Sequence, residues 1–122
     1  GTRPHEQLDV WHDAMELVVL TYRFSQHFPD SERFALTSQV RRAAVSVPSN
    51  IAEGAARRSR RDYLHFLSIA RGSLSELSTQ VQIASRLGFV GSTEEILAAT
   101  DRVFGRLTAL INALARKPAA AR

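Results

Sequence analysis

Residues 39–61 read QVRRAAVSVPSNIAEGAARRSRR, and this stretch decides the fold. Leu36, Val40, Ala43, Ala44, Val47 and Ile51 recur every three or four residues, which is one face of a helix and not the alternation of a strand. Pro48 lies inside that pattern. It has no N–H, so the carbonyl of Ala44 loses its usual partner, and Val47 before it is biased away from helical geometry. Either the helix kinks at Val47–Pro48, with Ser46 bonding locally to relieve it, or a second helix begins with Pro48 in its first turn; the unbroken apolar phase favours the kink. Gly54 is expected to stop the helix by taking a positive φ. Ser59 is expected to cap the next helix, with Asp62 three residues on. The turn between carries Arg57 and Arg58, and Arg60 and Arg61 open the following helix, where the macrodipole disfavours cations. Arginines set against local helix energetics point to an anionic partner; the alternative is a solvated turn.

Working outward, the periodicity predicts four helices. Helix 1 spans about 8–28 and is stopped by Pro29. It carries two apolar seams, Leu8, Trp11, Met15, Val18, Tyr22 and Leu17, Leu20, Phe24, Phe28. The second seam, Leu17, Leu20, Phe24 and Phe28, is read either as an oligomer interface or as deep burial within the chain's own bundle. Helix 2 spans about 32–53, with Asp30 or Ser31 as its cap. Helix 3 spans about 60–87, with Tyr63, Phe66, Leu67, Ala70, Leu74, Leu77, Val81 and Ala84 as its seam, and Gly72 letting another helix approach. Gly88 ends it. Ser92 and Glu95 form a capping box for helix 4, about 93–116, whose seam is Ile96, Ala99, Val103, Leu107, Leu110 and Leu114; Pro118 ends it and the tail frays. Short turns between amphipathic helices give an all-α, antiparallel up-down-up-down four-helix bundle in one domain, 1–122.

The chain has 122 residues, 44% hydrophobic and 7% aromatic, enough for one real core. It has no cysteine, which removes disulfides, thiolate metal sites and cysteine nucleophiles and fits a cytoplasmic location. The opening GTRPHEQ lacks the apolar core of a signal peptide, and the longest stretch without charge, 43–52, is far short of the roughly twenty residues of a membrane span. Net charge is +4. Among 16 basic residues all but Lys117 are arginine, which suits bidentate phosphate contacts. Between Arg41 and Arg71 seven arginines face only Glu53 and Asp62, so the positive charge is concentrated as in a nucleic-acid footprint.

Chemistry is sparse. The Glu-x-x-His pairs of di-metal bundles are missing, and so are phosphate-binding glycine loops and the serine-hydrolase elbow. Asp9, His12, Asp13 and Glu16 share one helical face and are the best metal-like group, though a solvated polar strip explains them as well. Glu53 and Glu76 read as structural partners of an arginine such as Arg42 or Arg71, and Asn50 as a partner of backbone near Pro48. No catalytic residue, metal or cofactor is assigned.

The segments LDVWHDAMELV, LTSQVRRAAVSVPSNIAEGAARRS and FLSIARGSLSELSTQVQIASRLGF resemble the four-helix bundle family named for proteins encoded in 23S rRNA intervening sequences. The resemblance covers about 8–114; Ser78 and Ala56 depart from it where the family often has an acid and a glycine. It implies closed homo-oligomers, pentamers among them. A similar bundle is the accessory protein of diversity-generating retroelements, a basic pentamer that binds nucleic acid and a reverse transcriptase. Carried over, the basic positions are Arg41, Arg42, Arg57, Arg58, Arg60, Arg61 and Arg71. The expected function is a non-enzymatic, homo-oligomeric bundle binding RNA or DNA through phosphates; the alternatives are a protein-interaction scaffold and a metal-dependent enzyme using Asp9, His12, Asp13 and Glu16.

Overall fold

The computed structural model describes residues 3–116, and these are all-helical, with four α-helices and no strand. They are α1 (Asp9–Ser25), α2 (Leu36–Ala55), α3 (Arg60–Arg86) and α4 (Glu94–Arg116), with 3₁₀ turns at Pro4–Gln7 and Asp30–Glu32. The expected stop at Pro118, the frayed tail and Lys117 lie outside the described residues. Each helix packs on the next and α1 closes on α4, while the backbones of the diagonal pairs stay apart. Late residues of one helix meet early residues of the next: Arg41 reaches Tyr22 and Ser25, Gly54 faces Tyr63 and Phe66, and Arg106 returns to Asp13. One end of the bundle therefore holds the start of α1, the α2–α3 turn and the end of α4.

The seam of α2 is buried at every predicted position, Leu36, Val40, Ala43, Ala44, Val47 and Ile51. Burying each large member removes apolar surface worth about 1.5–3 kcal/mol, more than any propensity term in this helix. The helix runs unbroken through Pro48, itself buried, so no second helix begins there. Ser46 and Asn50 make a polar lattice beside it. Asn50 Nδ2 donates to the carbonyl of Ser46 at 2.8 Å and to its Oγ at 2.9 Å, and Ser46 Oγ lies 2.8 Å from Ser73 Oγ on α3. Ser46 thus ties α2 to α3, and Asn50 serves structure.

Two glycines do not play the roles expected of them. Gly54 does not end α2 and takes no positive φ; it is buried inside the helix where α3 crosses. A Cβ there would stand 2.9 Å from Phe66 Cβ and 3.1 Å from a Tyr63 ring carbon, so the absence of a side chain permits the close approach. Gly72 permits none: a Cβ on it would meet nothing within 4 Å, and the residue is exposed in mid-α3. Gly72→Ala is therefore expected to stabilise the fold by about 0.5–1 kcal/mol, read as a rise in thermal midpoint, because alanine loses less backbone entropy in a helix. An unchanged or lower midpoint would mean that Gly72 is held for something the bundle does not display.

Gly88 behaves as expected, with φ of 77°. The Phe89 N–H bonds the Ala84 carbonyl and the Gly88 N–H that of Ser85, a Schellman motif that terminates α3 and turns Phe89 onto the core. Ser59 caps α3 by accepting from Asp62 N at 3.1 Å. The other caps differ in detail. Neither Asp30 nor Ser31 caps α2; Glu32 Oε1 accepts from Leu36 N. Ser92 Oγ accepts from Glu94 N, one residue earlier than a box with Glu95 requires.

Helix α1 needs the largest correction. It ends at Ser25, where 3₁₀-type bonds from Gln26 and Phe28 tighten the chain, not at Pro29. Its buried stripe is Val10, Ala14, Leu17, Thr21 and Ser25, running between the two predicted seams. Thr21 and Ser25 can be buried because their hydroxyls bond the carbonyls of Leu17 and Tyr22. Leu17 and Phe28, expected at an oligomer interface, are 1% and 6% exposed and belong to the bundle's own core, Phe28 packing on Phe24 and Phe89. Leu20 and Phe24 are half-buried against that core. Met15, Val19 and Tyr22 are the α1 apolar side chains left facing outward.

Candidate nucleic-acid interface

The α2–α3 turn is short because Ala56 closes α2 and Ser59 already caps α3. That leaves Arg57 and Arg58 on the connection and Arg60 and Arg61 in the first turn of α3. Arg57 Nη2 donates to Glu53 Oε2 at 2.7 Å, and its guanidinium lies 4.7 Å from the Phe66 ring centre. The ion pair is half-exposed and one turn apart, a geometry worth only about 0.3–0.5 kcal/mol, so it orients Arg57 without neutralising the turn. Arg58 and Arg61 are exposed and make no hydrogen bond or ion pair among the described residues; Arg60 is half-buried. Behind them Tyr63 is half-buried, and burial pushes its phenol above the ordinary tyrosine value, keeping it neutral.

The other three expected arginines do not join this group. Arg41 lies about 20 Å back along α2. It donates to Ser25 Oγ at 2.8 Å and stacks 4.6 Å from the Tyr22 ring, pinned between α1 and α2. Arg71 faces the opposite side, bonded to Thr108 Oγ1 at 3.4 Å and 5.8 Å from the Phe104 ring. Arg42 is exposed partway along α2. The seven arginines are one cluster in sequence and a quartet with three outliers in space. Connectivity supplies replacements that a local count of charge could not find. Arg3, beside the 3₁₀ turn that packs on α2, and Arg116, the last described residue of α4, belong to the end that holds the quartet. Six arginines meet Glu6, Asp9, Glu53 and Asp62 there, whereas the far end balances Arg23, Arg33, Arg41 and Arg86 against Asp30, Glu32, Glu94 and Glu95. The bundle is electrically polarised along its axis.

The metal-like group comes apart. Asp13 is ion-paired with Arg106, and His12 Nε2 lies 2.7 Å from the Glu6 carbonyl. Among the described residues no group of three or more His, Asp or Glu could hold a metal. Glu53 takes Arg57 as partner, not Arg42 or Arg71, and among the described residues no ion pair involves Glu76. No helix among the described residues is long and apolar enough to cross a membrane.

Residues 6–112 match the family described as 23S rRNA-intervening sequence protein. Among solved structures, a protein of unknown function from the S23 ribosomal protein family of Bacteroides thetaiotaomicron VPI-5482 superposes with a TM-score of 0.78 at 21% identity, over 84% of this chain and 95% of that one. At that identity the likeness is one of fold. No curated protein matches the chain.

Proposed function

Because the chain belongs to the 23S rRNA-intervening sequence protein family, and its structural relative is likewise of unknown function, we propose its role from its surface: a non-enzymatic, self-associating bundle whose basic end holds RNA or DNA by its phosphates. The observation that carries this reading is the α2–α3 turn. It sets Arg58 and Arg61 in solvent without a carboxylate partner, beside Arg57 and Arg60, at a helix N-terminus that repels cations. A stable fold does not need that arrangement, and a polyanion does. Guanidinium groups aimed at phosphates position a strand without reading its bases, so binding is weakly sequence-specific. Self-association repeats the basic end and raises the local field.

The test is a salt titration with a labelled oligonucleotide. Four to six phosphate contacts predict a log–log slope of about −3 to −5, and no sequence preference beyond a few-fold. Equal affinity at about 50 and 300 mM salt would remove phosphate contact as the mechanism. The competing reading, a scaffold whose arginines meet an acidic protein, predicts capture of the same partner with and without nuclease.

A further inference from the structure

Among the described residues four guanidinium groups lie over aromatic rings, and three of them stand away from the basic turn. Arg41 and Arg71 are half-buried, each hydrogen-bonded to the neighbouring helix. Arg33 covers Phe34 at the far end, beside Asp30 and Glu32. The fourth, Arg57 over Phe66, sits inside the quartet. Phe66 is half-buried where α3 crosses Gly54, and the exposed His65 ring stands edge-on to it, centroids 5.4 Å apart. Glu53 holds Arg57 by Nη2. A hydrogen bond from that nitrogen lies in the guanidinium plane, so the carboxylate grips an edge and leaves the faces free. One face covers the Phe66 ring, and the Arg57 side chain is still 43% exposed. The result is a flat cation, fixed before any ligand arrives, with its second face toward water.

A phosphate does not need this arrangement. Phosphates bind the guanidinium edge, where the N–H groups point. On Arg57 part of that edge is given to Glu53, whereas Arg58 and Arg61 keep theirs, exposed and without hydrogen bond or ion pair among the described residues. The open face of Arg57 suits another flat π-system, and beside phosphate-holding arginines that is a nucleobase. We infer that Arg57, backed by Phe66, is a stacking platform for one unpaired base, with the flanking phosphates on Arg58 and Arg61, so that the ligand of the basic end is single-stranded RNA or DNA. In a duplex both faces of an internal base are covered by its neighbours, and the platform has nothing to stack on. Charge alone predicts the opposite preference, because a duplex carries its phosphates more densely and releases more counterion per contact. Stacking accepts any base, since every base has a π-face, and so adds no strong sequence preference. The inference rests on the proposed phosphate contact and adds the base to it.

The experiment compares three labelled probes at one salt concentration: a short oligothymidine, an abasic strand of the same length with the same phosphates and no bases, and a duplex of that length. Affinity is read by fluorescence anisotropy. Wild type is expected to bind oligothymidine about ten-fold tighter than the abasic strand, and tighter than the duplex. R57K keeps the charge and loses the plane, so it is expected to bind the two strands alike. R58K alters a phosphate contact that lysine also makes, and is expected to keep the wild-type preference. Circular dichroism checks that both variants are as helical as wild type. Equal affinity of wild type for the two strands, a duplex that binds tighter than either, or a preference that R57K retains would overturn the platform and leave the phosphate reading standing. Binding to none of the three probes would overturn the phosphate reading itself, and the platform with it.

Discussion

Replacing Arg57, Arg58, Arg60 and Arg61 together with alanine is expected to weaken oligonucleotide binding by about two to three orders of magnitude near 0.15 M salt. Each lost phosphate contact removes the release of about 0.7–0.9 of a counterion, so four losses also flatten the log–log slope by about 3. The fold should not suffer. Alanine is the better helix former in the first turn of α3, and removing Arg60 and Arg61 relieves two cations at a positive helix terminus. Against that stand the contacts of half-buried Arg60, and the Arg57–Glu53 pair and Arg57–Phe66 stack, these two together on the order of 1 kcal/mol. Thermal midpoint should move by no more than a few degrees. Arg41→Ala and Arg71→Ala supply the contrast. Both side chains are engaged within the bundle, so their removal should cost stability and leave the salt slope nearly unchanged. Retained affinity in the quadruple variant would place the anion site elsewhere.

Gly54→Ala is expected to lower the thermal midpoint by roughly 6–10 °C, about 2 kcal/mol. Helix propensity alone would favour alanine over glycine by about 1 kcal/mol. The new methyl would stand 2.9 Å from Phe66 Cβ and 3.2 Å from the Tyr63 carbonyl oxygen. Neither atom is the free end of a flexible side chain, so α2 and α3 must separate, and the packing of Ile51 and Leu67 beneath them loosens. Gly54→Val should cost more, because a β-branched side chain adds bulk that a rotamer change cannot remove. With Gly72→Ala expected to act in the opposite direction, the same substitution at two helical glycines separates close packing from backbone entropy. A neutral Gly54→Ala would show that α3 yields more easily than its contacts imply.

Periodicity made most of the architecture legible. The α2 seam, the Ser59 cap, the Gly88 stop and the run from Leu67 to Ala84 stand where spacing puts them, because each rests on a local rule of turn geometry or side-chain register. What was hidden needed a neighbour. Ala14, Thr21 and Ser25 carry little apolar weight, so the true core stripe of α1 lay concealed between two greasier ones. Gly54 and Gly72 look alike until α3 is placed against one of them. The basic turn was legible as charge, yet Arg41 and Arg71 were grouped with it because sequence distance ignores which side of a helix a residue occupies. Arg3 and Arg116 were missed because only the path of the chain brings both termini to that end.

The polarity of the bundle sets its posture. A rod with a cationic tip and a balanced butt carries a permanent moment along its length, so near a nucleic acid it would swing upright and touch down on its tip. Each molecule then occupies the strand by its girth and not by its length. Molecules would stand shoulder to shoulder like bristles, their flanks turned toward one another.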